Sequence, residues 1–185
     1  EIVQTYQSRV RELPPANKQL VGKIKNEHSL FFDGAPNNLM KPHNFLSLQT
    51  LSWFKETFSH YLQWNKVKNY EMHLNSIWVN SMRDNEYNPV HIHTGHLSGV
   101  GYLKVPNDWG SYSQNNKRNN QNGKIDFIFG NRGFLSMGNI LAKPKVGDFY
   151  LFPNYLFHTV YPFKGNEERR SVSFNAKVDQ SLFNE

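Results

Sequence analysis

The stretch NPVHIHTGHLSGVGYLKVP, residues 88–106, holds three of the chain's eight histidines and continues into small and β-prone residues. In an extended strand, side chains two residues apart point to the same face, so His91 and His93 share one side and Ile92 turns to the other. Two such imidazoles bind iron, zinc or copper when a third ligand comes from elsewhere. An isolated His-x-His pair is also common on strand surfaces, so the spacing alone leaves both interpretations open.

Short runs of strand-forming residues, separated by Gly, Asn, Asp and Pro, make up the chain after Tyr70. Short strands with turns between them predict a β-sandwich or barrel. Aromatic residues are 15% of the chain, which favours strands over a Leu/Ala helical bundle. The predicted strands are 75–82, 89–93, 99–105, 124–130, 147–153, 158–163 and 169–178.

Helices and loops are predicted before this β region. A short helix is expected near Ala16–Asn26, within a loop-rich stretch. Apolar residues recur at spacings of three and four from Leu48 to Trp64, which predicts an amphipathic helix with Ser47 as its cap.

The whole chain, residues 1–185, is of ordinary length for one domain. We expect loops and bracing helices in residues 1–69 and the β core in residues 70–178. The segment 111–123 is too polar to pack, and we predict that it is a mobile loop.

The composition excludes several kinds of site. The chain has no cysteine, so disulfides, thiolate metal sites and cysteine nucleophiles are ruled out. Its net charge of +6 is spread along the chain, which does not favour a nucleic-acid partner. No apolar run approaches the roughly 18 residues of a membrane span, and the first residues lack a signal-peptide core. We expect a cytoplasmic protein, and the missing initial Met suggests that a tag or short leader was removed.

A partner for the His-x-His pair lies far along the chain. His158 follows an apolar segment and opens the predicted strand 158–163, so it is the natural third ligand. In the last strand, Arg169 and Ser171 alternate with apolar residues. If these two side chains face a pocket, they form an anion site, because a guanidinium binds a carboxylate through two hydrogen bonds. A surface strand with its polar side in water is the alternative.

Several of these motifs occur together in a fixed order. The order is W-V-N (78–80), H-x-H (91–93), L-S-G-V-x-Y-L (97–103), G-x-x-x-L-F-P-x-x-x-x-H-x-V (147–160) and R-x-S-x-S-F-N (169–175). This pattern, over Ser76–Lys177, resembles the Fe(II)/2-oxoglutarate-dependent dioxygenases. The closest resemblance is to the small oxygenases of marine bacteria and cyanobacterial viruses. It implies a mainly β fold with N-terminal helices, built on a double-stranded β-helix, or jelly roll.

The resemblance also implies cofactors and site residues. Fe(II) is expected on His91, His93 and His158, and 2-oxoglutarate and O₂ are the expected co-substrates. Arg169 and Ser171 match the pair that holds the far carboxylate of 2-oxoglutarate.

Tyr102 lies where the superfamily often places a second donor to 2-oxoglutarate. The expected reaction is hydroxylation of an unidentified small molecule or protein side chain, with succinate and CO₂ as co-products. The chain is expected to act alone or as a homodimer.

Position 93 departs from the family pattern, which has Asp or Glu there. If His93 is a ligand, the site is a neutral triad of histidines, and bound Fe(II) keeps its full charge. If His93 points away, water or another anion takes that place.

Two other functions remain open. One is a cupin-like metalloenzyme with three histidines that does not use 2-oxoglutarate. The other is a non-enzymatic jelly-roll module, such as a virion component, whose histidines are incidental.

Overall fold

The computed structural model describes residues 7–8, 10–30, 40–67, 70–111 and 120–178. In this part of the chain, helices α1 and α2 span Met40–Thr57 and Ser59–Trp64. Short 3₁₀ turns lie at Val10–Glu12 and Asn17–Gln19. The strands are β1 (Asn26–Ser29), β2 (Met72–Met82), β3 (Asn88–His91), β4 (Leu97–Lys104), β5 (Ile125–Ile128), β6 (Asn139–Ala142), β7 (Phe149–Pro153), β8 (Phe157–Val160) and β9 (Arg169–Val178).

The strands form two antiparallel sheets. The larger sheet has the order β1-β2-β9-β4-β7, and the smaller sheet has the order β3-β8-β5-β6. Most neighbours in each sheet are far apart in sequence, as in a jelly roll. The predicted mainly β jelly roll with N-terminal helices is confirmed.

Strand β9 lies in the middle of the larger sheet and is buried on both faces. Val172 and Phe174 point to one face and pack in a core that includes Leu46 and Phe54 of α1. On the opposite face lie the alternate residues, such as Arg169 and Ser171, which line a cavity between the two sheets. The alternation of polar and apolar residues therefore separates a structural core from a polar pocket.

Gly99 and Gly101 in β4 let aromatic rings lie directly on the sheet. A Cβ atom at Gly99 would come within 2.4 Å of the Phe174 ring, and one at Gly101 within 2.6 Å of the Phe149 ring. The Phe149 and Phe174 rings are stacked, with centroids 5.8 Å apart. A side chain at either glycine would displace this pair.

The structure corrects several expectations from the sequence. Each predicted strand overlaps an observed one, but β1 and β6 were not predicted. The helix predicted near Ala16–Asn26 is wrong, because this segment forms a 3₁₀ turn and then enters β1, which pairs with β2. The chain gains the hydrogen bonds of the sheet edge by being extended here.

The predicted helix over 48–64 exists but begins earlier. It starts at Met40, so Ser47 lies inside α1 and does not cap it. A break at Phe58 separates α1 from α2. Most of the predicted mobile loop, residues 112–119, lies outside the described residues. The division at residues 69 and 70 stays a prediction. None of the helices described is long and apolar enough to cross a membrane.

We predict that Phe174→Ala lowers the free energy of unfolding by about 3–5 kcal/mol, because it removes a fully buried ring that contacts both the sheet and the helices. Denaturant unfolding followed by circular dichroism measures this change. Phe134→Ala is the matched control, because Phe134 is 99% exposed, and its effect should stay within about 0.5 kcal/mol. Similar losses in both variants would contradict the assignment of the core.

Candidate functional site

Three histidines meet at one edge of the smaller sheet. His91 in β3 lies directly opposite His158 in β8, with ring centroids 4.2 Å apart. The His93 ring lies 4.9 Å from each of the other two. One ring nitrogen from each residue lies within 4.8 Å of the others, so the three can bind a single metal ion.

His93 reaches this cluster from outside the strand. The predicted strand 89–93 is too long, because β3 ends at His91. The His93 backbone N–H donates to Asn154 O at 3.0 Å, and Asn154 Nδ2 donates to His93 O at 3.1 Å. Asn154 therefore fixes the backbone of His93 in place of strand pairing.

Backbone carbonyls set the tautomers of two of the histidines. His91 Nδ1 lies 2.7 Å from Pro89 O, and His158 Nδ1 lies 2.9 Å from Leu156 O. A carbonyl only accepts, so each Nδ1 carries the proton and each Nε2 presents a lone pair. His93 Nε2 and His158 Nε2 are 3.1 Å apart, which requires a shared proton or a shared cation between them. The cluster is therefore suited to a metal ion.

The three imidazoles are neutral. Burial, with the neighbouring His158 and His91, lowers the pKa of His93 to about 3. Burial lowers the pKa of His158 to about 4, with a further contribution from His91. Burial also lowers the pKa of His91. Neutral imidazole is the form that binds metals.

Arg169 lies in the same pocket and is 1% exposed. Its Nη2 donates to the Tyr102 hydroxyl at 3.1 Å, and its Nη1 lies 3.1 Å from Met82 Sδ. Its Nε is buried without a hydrogen-bond partner, and no carboxylate among the described residues pairs with it. Burial lowers the pKa of Arg169, but a guanidinium keeps its charge in proteins. An unpaired buried cation is costly, so the pocket is suited to an anion.

A row of polar side chains crosses the larger sheet beside Arg169. Glu27, Asn80, Ser171 and Tyr102 are neighbours on β1, β2, β9 and β4. Among the described residues, the buried atoms Ser171 Oγ and Asn80 Oδ1 have no hydrogen-bond partner. These atoms are available to a ligand that enters the cavity.

Aromatic rings surround the histidines. Trp78 lies 5.7 Å from the His93 ring, and Phe152 and Phe127 lie 4.8 Å and 6.2 Å from the His158 ring. Tyr150 contacts Phe127. The cavity, of about 80 Å³, is thus polar on the larger sheet and largely aromatic around the metal ligands.

The six predicted site residues come together. His91, His93 and His158 form the cluster, Arg169 and Ser171 line the same cavity, and Tyr102 contacts Arg169. His28, His60, His73 and His96 are not part of the cluster.

A model of the family described as "Putative 2OG-Fe(II) oxygenase" matches residues 76–175. This match covers more than half of the chain and includes every residue of the pocket described above except those of the N-terminal segment. The chain belongs to this family. It is therefore a 2-oxoglutarate-dependent dioxygenase that uses non-haem Fe(II), 2-oxoglutarate and O₂.

Solved structures share the fold of the oxygenase. HygX from Streptomyces hygroscopicus, with nickel, 2-oxoglutarate and hygromycin B bound, has a TM-score of 0.56 at 11% identity, covering 95% of this chain and 77% of HygX. The viral collagen prolyl hydroxylase of Paramecium Bursaria Chlorella virus-1 has a TM-score of 0.53 at 13% identity, covering 92% and 87%.

A Pseudomonas putida prolyl-4-hydroxylase has a TM-score of 0.52 at 15% identity, covering 94% of this chain and 83% of the hydroxylase. These likenesses establish a common fold. No curated protein matches the oxygenase by sequence. The marine or viral source stays a prediction.

The sequence did not identify several residues of the pocket. Phe152 and Asn80 stand inside the quoted motifs, but nothing in the sequence shows where their side chains point. Asn154 was missed because it acts from a turn, where its side chain donates a hydrogen bond to the backbone of His93. Glu27 was missed because it follows the predicted helix in a stretch predicted as loop, whereas it lies in strand β1. Glu27 is 1% exposed, and burial, with the nearby Glu86, raises its pKa to about 7.

We predict that the metal-free protein loses stability between pH 5 and pH 8 through Glu27. Its pKa rises from 4.5 to about 7 on folding, so the folded state holds the proton more tightly than the unfolded state. Stability therefore falls as pH rises through this range, by up to about 3 kcal/mol at pH 8.

Denaturant unfolding at pH 5 and pH 8 tests this effect. In Glu27→Gln the pH dependence should be smaller by that amount, because the amide stays neutral. Glu71→Gln is the control, since the Glu71 side chain is 78% exposed, and it should behave as the wild type. Equal pH dependence in all three proteins would contradict the prediction.

Proposed function

We propose that the oxygenase hydroxylates its substrate with Fe(II) bound by His91, His93 and His158, and with 2-oxoglutarate anchored by Arg169 and Ser171. One observation carries the proposal: the buried, unpaired guanidinium of Arg169 shares a cavity with three neutral histidines. A metal ion satisfies the histidines, and a carboxylate satisfies the guanidinium.

Three side chains of the pocket offer donors to the far carboxylate of 2-oxoglutarate. Arg169 Nε and Ser171 Oγ have no hydrogen-bond partner among the described residues, and a carboxylate can accept hydrogen bonds from both. The Tyr102 hydroxyl already accepts from Arg169 Nη2, so its own proton can be donated to the same carboxylate. This supports the role expected of Tyr102 as a second donor to 2-oxoglutarate.

The residues of the chain have three tasks in this reaction. Arg169 and Ser171 orient the co-substrate, the histidines hold the metal, and the rings of Trp78 and Phe152 exclude water. Bound Fe(II) and 2-oxoglutarate supply oxygen activation: one atom of O₂ enters the substrate, and the other enters succinate as CO₂ is released.

A direct reaction of the substrate with O₂ that does not consume 2-oxoglutarate, as in a cupin-like enzyme, is the second candidate activity of the same site. The observation that favours it is His93, which places a third histidine where the family pattern has a carboxylate. The two functions differ in one measurable way, because only the proposed one requires 2-oxoglutarate for O₂ consumption.

We predict that adding Fe(II) and then 2-oxoglutarate to the metal-free protein under anaerobic conditions produces a visible charge-transfer band. His91→Ala and His158→Ala should abolish the band, because two nitrogen ligands do not hold the ion. His93→Ala should abolish the band for the same reason, and His93→Asp should restore it, because a carboxylate can take the same place. His73→Ala is the control, since the His73 side chain is 72% exposed. Tight Fe(II) binding without a band, and O₂ consumption without 2-oxoglutarate, would favour the cupin-like function.

We predict that Arg169→Ala weakens 2-oxoglutarate binding on the order of 100-fold or more, because it removes the only buried cation described in the pocket. Titration of the visible band measures this affinity, and succinate formation measures turnover. Fe(II) affinity should stay close to that of the wild type, which shows that the variant is folded.

Arg83→Ala is the matched control for Arg169→Ala. The Arg83 side chain is 51% exposed and lies near Glu168, outside the cavity. Equal 2-oxoglutarate affinity in Arg169→Ala and the wild type would remove Arg169 from its proposed role.

A further inference from the structure

A buried carboxylate lies in the wall of the cavity, outside the metal cluster and outside the anion site. Glu27 reaches the cavity from β1, at the edge of the larger sheet. It is not one of the grouped metal ligands and has no ion pair with Arg169 among the described residues. Neither the metal nor the co-substrate therefore accounts for it.

The segment before β1 is fixed against the rest of the pocket. Lys23 N–H donates to Tyr87 O at 2.9 Å, and Lys25 N–H donates to Glu86 Oε1 at 3.0 Å. Leu20 and Val21, just before them, line the cavity. The segment before β1 therefore forms a fixed wall of the pocket.

Gly22 lets the Asn88 side chain pack closely beside Glu27. A Cβ atom on Gly22 would lie 2.1 Å from Asn88 Oδ1 and 3.2 Å from Glu27 Oε1. Both residues line the cavity. A side chain at position 22 would therefore displace Asn88 Oδ1, so glycine is needed to keep the two acceptors close together.

A third acceptor lies beside Glu27. Asn80 is its partner in the neighbouring strand, is 5% exposed and lines the cavity. Its Oδ1 has no hydrogen-bond partner, while its Nδ2 donates to Ser173 Oγ at 3.3 Å. Within the described residues, Glu27 receives a hydrogen bond from Asn17 Nδ2 to Oε2, also at 3.3 Å. This part of the wall therefore has more acceptors than donors.

We propose that Glu27, Asn80 and Asn88 bind a primary ammonium group of the substrate. This inference rests on the proposed function and names the chemical class of its substrate. An ammonium group has three donors and no acceptor, which matches the three oxygens of the wall. A hydroxyl group has one donor and would leave acceptors unsatisfied. The charge of the ammonium group pairs with the Glu27 carboxylate, which gives a charge-assisted hydrogen bond.

The wall and the metal cluster share one cavity, so a substrate held by its amino group is brought near the metal. The amino group has two candidate sources, a free amine and the α-amino group of an amino acid or peptide. Both sources offer the same three donors. The experiment below separates them.

The test uses the full chain loaded with Fe(II) and 2-oxoglutarate under anaerobic conditions. The probes are n-propylamine, n-propanol, glycinamide and N-acetylglycinamide, and ligand-observed NMR measures binding. We expect at least one of the two amines to bind about 10-fold more tightly than its uncharged counterpart, because a hydrogen bond to a charged group is worth about 1.5–3 kcal/mol. A preference for glycinamide assigns an α-amino group, and a preference for n-propylamine assigns a free amine.

Two variants test the residues of the wall. Glu27→Gln should remove the preference for the amine, since it removes the charge and keeps the shape. Gly22→Ala should weaken amine binding, because the added methyl group would displace Asn88 Oδ1 from its place beside Glu27. Glu71→Gln is the control and should bind as the wild type. Thermal unfolding confirms that each variant is folded.

The inference is overturned if the wild type binds n-propanol and N-acetylglycinamide as well as the amines, or if Glu27→Gln keeps the full preference. The visible band separates this failure from failure of the proposed function. If the wild type forms the Fe(II)–2-oxoglutarate band and shows no amine preference, only the substrate class is wrong. If no band forms, the proposed function itself fails.

Discussion

The placement of β9 in the centre of the larger sheet is the constraint on which the rest of the structure depends. Because successive side chains in a strand point to opposite faces, one register sends Phe174 to the helices and Arg169 to the cavity. A shift by one residue would bury Arg169 among the helices and put Phe174 in the pocket. The register that builds the core is therefore the register that builds the anion site.

The two sheets supply different chemistry to the cavity between them. The smaller sheet and the turn after β3 supply three neutral imidazoles, and the larger sheet supplies a buried cation and a row of hydroxyl, amide and carboxyl groups. The imidazoles are neutral because they are buried, and the guanidinium has no carboxylate partner among the described residues. The unpaired guanidinium is costly in the free protein, and in the proposed function a carboxylate offsets that cost.

Much of the fold and of the site can be predicted from the sequence, for identifiable reasons. The strands around His91, His158 and Arg169 show clear alternation or follow strong turn residues, so their side-chain directions follow from the period of two. The short edge strands β1 and β6 have no such pattern, and their pairing depends on tertiary contacts. For the same reason the sequence does not predict the burial of Glu27, which depends on Asn80, a strand neighbour more than fifty residues away.

His93 lies beside His91 and His158 as the sequence predicts, but not for the predicted reason. The sequence predicts that His93 faces His91 because both lie in one strand, but β3 ends before His93. Asn154, in the turn before β8, restores the geometry through two hydrogen bonds to the His93 backbone. A loop-to-loop contact of this kind leaves no periodic signal in a sequence.

The facing pair His91 and His158 has a consequence for the lifetime of the protein. A metal ion on these residues joins β3 to β8 and reaches His93 in the following turn, and it does so only in the folded state. At a concentration 100 times its dissociation constant, such an ion adds about 2.7 kcal/mol to the free energy of unfolding. Proteases act on the unfolded fraction, so an ion bound at this site would also slow degradation of the protein.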